Sequence, residues 1–154
     1  MSLDTNLIIY AFDPAAGSKS ALARRILKAA AVAELVLPLQ VLNESFAVLT
    51  GRFAWPRKQA RDALDELATD VAIAAPSVEL SWKAMRLADP HGLSFWNALI
   101  VAGAAEAGCS LLLTEDLQDG REFGAADVGR AIRILNPFSE TNAATLSALG
   151  FIDE

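Results

Sequence analysis

The chain has 154 residues, with 13 Lys and Arg against 19 Asp and Glu, for a formal net charge of -6. That length suits one domain able to bury about two-thirds of the surface its unfolded chain exposes. The acidic balance excludes indiscriminate attraction of polyanions, so any nucleic-acid contact has to be local or assisted by a metal ion. The apolar fraction is 53%, yet no run approaches the roughly 20 residues that span a bilayer, and no charged and apolar leader opens the chain. Cys109, the only cysteine, rules out internal disulfides, suits a reducing cytoplasm and reads as a packed thiol.

Taken in order, Leu3-Asp4-Thr5-Asn6 is a short apolar lead that delivers a carboxylate where extended chain should give way to helix. The buried run Leu7-Ile8-Ile9-Tyr10-Ala11-Phe12 follows, stopped by Asp13-Pro14. Asp is a favoured N-cap; an acid at the carboxyl end of a parallel strand also faces the crevice where ligands bind. Asp4 admits both readings. Ser18 is expected to cap a helix over 18–34, with Ala21, Leu22, Ile26 and Leu27 inward. Residues 35–38 read as a short buried strand and 39–52 as a helix with an apolar arc of Leu42, Ser45, Phe46 and Leu49. Glu44 falls at the edge of that arc beside Val41 and Val48, as a snorkelling glutamate or a functional one. Pro56 suits the first position of a helix over 56–68. Near its start Arg52, Arg57, Lys58 and Arg61 surround Phe53 and Trp55, either a phosphate-backbone patch or a solvated face.

Residues 71–74 form a third predicted strand, and Ser77 caps a helix carrying Val78, Leu80, Trp82, Met85 and Leu87 that stops at Asp89-Pro90-His91-Gly92. His91, the only histidine, sits in that turn without an assigned role. Ser94 opens the next helix, which over 98–107 is almost entirely small or apolar and so is expected to be buried all round. A fourth strand over 109–113 delivers Thr114-Glu115-Asp116 to the edge that holds Asp4, if the sheet is parallel. A last strand over 131–135 ends at Asn136-Pro137, and the tail carries a short docking helix through Ala143, Leu146 and Leu149, or frays. Strands alternating with helices predict an α/β fold, a parallel sheet covered on both faces.

Asp4, Glu44, Asn97 and Asp116 are thereby expected in one crevice. Three carboxylates cannot remain ionised together without a cation, because like charges raise each other's pKa. Oxygen ligands alone favour Mg²⁺ or Mn²⁺, ions that activate water and stabilise in-line displacement at phosphorus. The chemistry points to metal-dependent phosphodiester hydrolysis.

At these residues the sequence resembles the PIN-domain ribonucleases, particularly the VapC-type toxins of bacterial toxin-antitoxin pairs. Leu3-Asp4-Thr5-Asn6 resembles the family's opening motif, Asn43-Glu44 its helix acid, and Leu93-Ser94-Phe95-Trp96-Asn97-Ala98-Leu99-Ile100 its third motif. Thr114-Glu115-Asp116-Leu117-Gln118-Asp119-Gly120 is similar to the fourth. The resemblance implies a three-layer α/β/α nuclease domain over 1–138, with a central parallel sheet of about five strands, and a tail over 139–154. It further implies a homodimer in the cytoplasm, Mg²⁺ or Mn²⁺, RNA cleavage, and a cognate antitoxin whose C-terminal segment covers the site. In its terms Asp4, Glu44 and Asp116 belong to the metal site, with Glu44 orienting the attacking water directly or through the metal, Asn97 a weakened ligand, and Thr114 and Asn6 holding carboxylates by hydrogen bonds.

One position departs from the motif. The third motif carries Asp where this chain has Asn97, which with Ser94 as N-cap falls at the third helical position, where it also suits a capping box. A neutral amide costs the pocket one charge, for which Asp119 is a candidate substitute. The alternative expectation is a silenced module that dimerises and binds an antitoxin. A phosphatase of the haloacid-dehalogenase type, with Asp4 as nucleophile, expects a second aspartate where this chain has Asn6.

Overall fold

The computed structural model describes residues 1–29 and 34–152. The opening strand β1 is only Ser2–Leu3 and is followed by α1, Thr5–Phe12, and α2, Ser18–Ala29. Then come β2, Val36–Pro38; α3, Leu39–Gly51; α4, Arg57–Asp70; and β3, Ala72–Ala74. The second half comprises α5, Val78–His91; α6, Phe95–Glu106; and β4, Leu111–Leu113. It closes with β5, Glu122–Phe123; α7, Ala125–Val128; β6, Ile132–Leu135; and α8, Ala143–Ala148.

The strands are short, but their side chains alternate between two cores as a pleat requires. Leu3, Leu37, Leu113 and Leu135 enter a core shared with α1 to α4 and with Leu146 and Phe151 of the tail. Leu112, Ile132 and Ile134 enter the other, shared with α5, α6 and Phe123. Two cores on opposite faces of one sheet give the α/β/α layering expected from the sequence. Strands β1, β4 and β6 pair in parallel, with Leu3 beside Leu113 and Leu113 beside Leu135. Strands β2 and β3 form a second parallel pair, and the Val36 N–H donates to the Met1 carbonyl at 3.0 Å, joining the two. Five strands thus pair only in parallel; β5, which the sequence did not suggest, adds an antiparallel edge on β6.

Helix placement follows the sequence, with instructive rotations. The inward side of α2 is Ser20, Ala23 and Ile26, while Ala21 is exposed; the expected end of that helix near residue 34 lies partly outside the described residues. In α3 the centre of the buried stripe is Val41, Ser45 and Leu49, with Leu42 and Phe46 half-buried. Pro56 is the N-cap of α4 rather than its first residue. Helix α5 runs through Pro90 and ends on Gly92, whose φ of 62° is the left-handed conformation glycine adopts at little cost. Its buried side is Leu80, Ala84 and Leu87, leaving Val78, Trp82 and Met85 exposed at 78%, 53% and 50%. Helix α6 is buried over nearly its whole length, as its small apolar sequence requires. Gly103 on α6 lies against Pro38, where an added Cβ would meet ring atoms at 3.4 and 3.5 Å, so close packing of α6 on β2 uses a residue without a side chain. No helix among the described residues is long and apolar enough to cross a membrane.

Ile134 is fully buried under α6 while its neighbour Arg133 is exposed. Ile134→Ala should lower unfolding free energy by about 3 kcal/mol, transfer plus cavity costs combined. Arg133→Thr should change it by no more than about 0.5 kcal/mol. Urea denaturation of both variants checks the assignment of faces.

Candidate active site

The strand register decides what stands at the carboxyl rim. Because Leu3, Leu113 and Leu135 are aligned, the residues that follow them, Asp4, Thr114 and Asn136, emerge side by side. Backbone bonds carry the alignment one step beyond the strands: Asp4 N–H to the Leu113 carbonyl at 2.9 Å, and Thr114 N–H to the Leu135 carbonyl at 3.1 Å.

Asp4 is 4% exposed and serves both of the roles its sequence position allows. Its Oδ1 caps α1 by accepting the Thr5 N–H at 2.6 Å. Its Oδ2 accepts the Thr114 hydroxyl at 2.6 Å. Thr114, fully buried, also accepts the Asp116 N–H on the same oxygen at 3.1 Å, so one hydroxyl fixes the Asp4 carboxylate and the backbone of Asp116. Asp116 itself is exposed, at the rim above Asp4.

Glu44 reaches the same place from α3. Its Oε2 accepts the Thr5 hydroxyl at 2.8 Å and its Oε1 accepts Gln40 Nε2 at 2.7 Å. Gln40 Nε2 also lies 3.4 Å from the Trp96 carbonyl, tying Glu44 to the start of α6, where Ser94 caps the helix by accepting the Asn97 N–H at 3.1 Å.

The electrostatics follow from this convergence. Burial, foremost, raises the Asp4 pKa from 3.8 to about 6; the Thr114 hydroxyl and Thr5 N–H pull it down, and the charges of Asp116 and Glu44 push it up again. No Lys, Arg or His is among the groups that act on it. A buried carboxylate facing two others without a positive partner is a place where a cation is missing from the protein's own charges.

Whether the donors suit a divalent ion can be judged from their chemistry. Among the described residues no three His, Cys, Asp or Glu side chains converge into a ready-made metal-holding group. The acids present are a pair, Asp4 and Asp116, linked through Thr114, with Glu44 anchored one shell away by Thr5 and Gln40. Mg²⁺ commonly binds through one or two carboxylates and keeps several waters, so this donor set fits such an ion without a closed cage.

The other sequence candidates divide. Asn6 keeps both polar side-chain atoms buried without a hydrogen-bond partner, and the expected hold on a carboxylate is made by its neighbour Thr5 instead. Asp119 is committed to the loop: Oδ1 accepts the Asn136 N–H at 2.8 Å and both oxygens accept Asn142 Nδ2 at 2.9 Å. It therefore does not replace the charge lacking at Asn97. In the basic cluster, Lys58 and Arg61 share Asp62 at 2.5 and 2.8 Å, which offsets one of its four positive charges. His91 packs edge-on against Phe123 and lies 3.5 Å from Asp127, away from the acids' partners. Cys109 is buried.

The sequence reading missed a clamp on Glu115. Tyr10 donates a short hydrogen bond to Glu115 Oε1, and Lys19 Nζ pairs with Oε2 at 2.5 Å while lying 4.9 and 5.1 Å from the Tyr10 and Phe138 ring centres. Burial pushes Glu115 up, but Lys19 and Tyr10 outweigh it and hold the carboxyl below its usual range. Standing between Thr114 and Asp116, Glu115 anchors the segment that presents the rim acid. Aromatic and basic residues spaced nine apart on separate helices gave no signal of this in the sequence.

The geometry can now be set beside known proteins. The PIN domain family model matches residues 1–119. Among solved structures, the Mycobacterium tuberculosis toxin VapC20, described as cleaving the sarcin-ricin loop, superposes with a TM-score of 0.58 at 22% identity, covering 72% of this chain and 85% of its own. VapBC2 of Rickettsia felis, solved on a promoter DNA fragment, gives 0.55 at 20% identity, covering 73% and 84%. FitAcB of Neisseria gonorrhoeae gives 0.54 at 17%, covering 89% and 97%. No curated protein sequence matches the chain.

The raised Asp4 pKa carries a sign. A carboxyl with a folded pKa near 6 and an unfolded one near 4 costs no stability below about pH 4, and a penalty grows as pH rises through 6, to on the order of 2–3 kcal/mol at neutral pH. Asp4→Asn keeps an acceptor oxygen, and the Thr114 hydroxyl can turn to accept from the new amide. The variant should melt several degrees above the parent at pH 7.5 and gain nothing at pH 4 in scanning calorimetry without divalent ions; equal or lower melting at both pH values contradicts an unpaired buried charge.

Proposed function

Because the chain belongs to the PIN domain family, whose model spans every acid of the site, we propose that it is a metal-dependent endoribonuclease, the toxin of a toxin-antitoxin pair, working with Mg²⁺ or Mn²⁺. The observation that carries this reading is the buried Asp4 carboxylate, placed against Asp116 and Glu44 with no positive side chain among the described residues acting on it. Asp4, Asp116 and the Asn97 carbonyl oxygen would hold the ion. When bound, the ion supplies charge neutralisation and Lewis acidity toward a phosphodiester.

The chain's own residues do the rest. Thr114 fixes Asp4 and the Asp116 backbone at once, and the Glu115 clamp stiffens that loop. Glu44, held by both oxygens, orients the attacking water and receives its proton. Gln40 and Thr5 keep its carboxylate directed toward Asp4. The cost of Asn97 is one negative charge, so divalent ions bind more weakly than they would to aspartate there.

The partners of the reading are a cognate antitoxin, an RNA and a second copy of the chain, in the cytoplasm. What supports the antitoxin is the likeness of the fold to VapBC2 and FitAcB. What supports self-association is the exposed stripe of Val78, Trp82 and Met85, residues i, i+4 and i+7 along α5.

A second reading, a silenced module retained for binding, is favoured by the neutral residue at 97 and by the lack of a three-acid group among the described residues. Manganese-dependent cleavage of structured RNA by purified protein separates the two. The nuclease reading expects activity that falls at least about 100-fold in Asp4→Ala while the variant stays folded by circular dichroism; cleavage indifferent to Asp4 removes it. Asn97→Asp should tighten Mg²⁺ binding several-fold in calorimetry and raise the cleavage rate, and unchanged metal affinity counts against Asn97 as a ligand. Trp82→Arg should shift the light-scattering mass of the chain from dimer to monomer.

A further inference from the structure

Beside the acids lies a hollow of about 550 Å³, walled by Gln40, Asn43, Glu44, Trp96 and Leu99. Its size falls in the range of small-ligand sites, roughly 300–1,000 Å³. Trp96 is 59% exposed there, braced by Phe95 in an edge-to-face contact at 5.2 Å, so its ring is held in place without being covered. Large exposed indoles are costly to leave in water, and this one stands one residue from Asn97. Gln40, whose Nε2 is committed to Glu44, keeps its Oε1 buried and without a hydrogen-bond partner among the described residues. The hollow therefore offers a flat aromatic face and the amide of Asn43 at its exposed mouth.

We infer that this hollow is a base-binding subsite: an unpaired RNA base stacks on the Trp96 indole with its edge toward the exposed Asn43 amide. The inference rests on the ribonuclease reading and adds a specificity determinant to it. Single-stranded RNA is recognised by stacking bases on aromatic side chains and pairing their edges with amides. Glu44 is common to the hollow and the acid cluster, so the hollow adjoins the place where the scissile phosphate is proposed to sit. The only ionisable group in the wall is Glu44, which leaves no cationic site for an acidic peptide.

The test uses short single-stranded oligoribonucleotides with the full chain in Mn²⁺. Trp96→Ala should raise KM about 10-fold, the scale of one base-aromatic stack, with a smaller fall in kcat, and Trp96→Phe should recover most of the loss. An abasic residue at the stacked position should impose the same penalty on the parent and no added penalty on Trp96→Ala. Unchanged KM in Trp96→Ala, with Asp4-dependent cleavage intact, overturns the subsite and leaves the nuclease reading standing. If no variant cleaves, the nuclease reading falls, and quenching of Trp96 fluorescence by the same RNAs, taken as the difference between parent and Trp96→Phe, decides the subsite alone: its presence supports, its absence overturns. If Trp96→Ala releases a copurifying protein yet leaves KM and quenching unchanged, the hollow serves a protein and the inference is wrong.

Discussion

A single buried hydroxyl holds the site together. Thr114 Oγ1 donates to Asp4 and accepts from the Asp116 backbone, so the ends of two neighbouring strands share one oxygen. The in-register pairing of β1 and β4 places that oxygen, and both strands are only two or three residues long. The register depends in turn on the sidedness of Leu112 and Leu113, which anchor opposite cores. A one-residue slip would reverse that sidedness and carry Thr114 away from Asp4. Core packing and site geometry are therefore one constraint.

The layered fold was legible because period-2 burial in the strands and small apolar residues in α6 leave few alternatives. Asp4, Glu44 and Asp116 were legible as acids with no packing role at strand ends or at the edge of an apolar arc. What sequence could not supply was the linkage. Thr5 and Gln40 look like ordinary helix-start residues, and only the crossing of α1, α3 and α6 makes them the holders of Glu44. Asn6 looked the better hydrogen-bonding partner, but helix phase turns Thr5 toward Glu44. Asp119 looked available because its spacing from Asp116 is right, yet the loop after β6 claims both its oxygens. The rotation of α5, which leaves Trp82 and Met85 outside, was hidden because apolar residues occur on more than one side of that helix.

The chain also shows how an acidic protein can be arranged for a polyanion. Its net charge repels RNA in general, and Lys58 and Arg61 are already paired on the surface. In the proposed function, attraction is left to the local acid site through a divalent cation, and to the aromatic and amide surface proposed beside it. In the same proposal the neutral Asn97 costs the site one charge, while the helix start is undisturbed because Ser94 caps through the backbone N–H and not through the side chain at 97.

Crystals grown or soaked with Mn²⁺ and measured at the manganese absorption edge test most directly whether the buried Asp4 and the rim Asp116 would together hold a divalent ion. An anomalous peak within coordinating distance of Asp4 and Asp116, lost in Asp4→Ala crystals, is the predicted result. Saturating Mn²⁺ that leaves no peak between those two carboxylates, in crystals where the site is open to solvent, would contradict it.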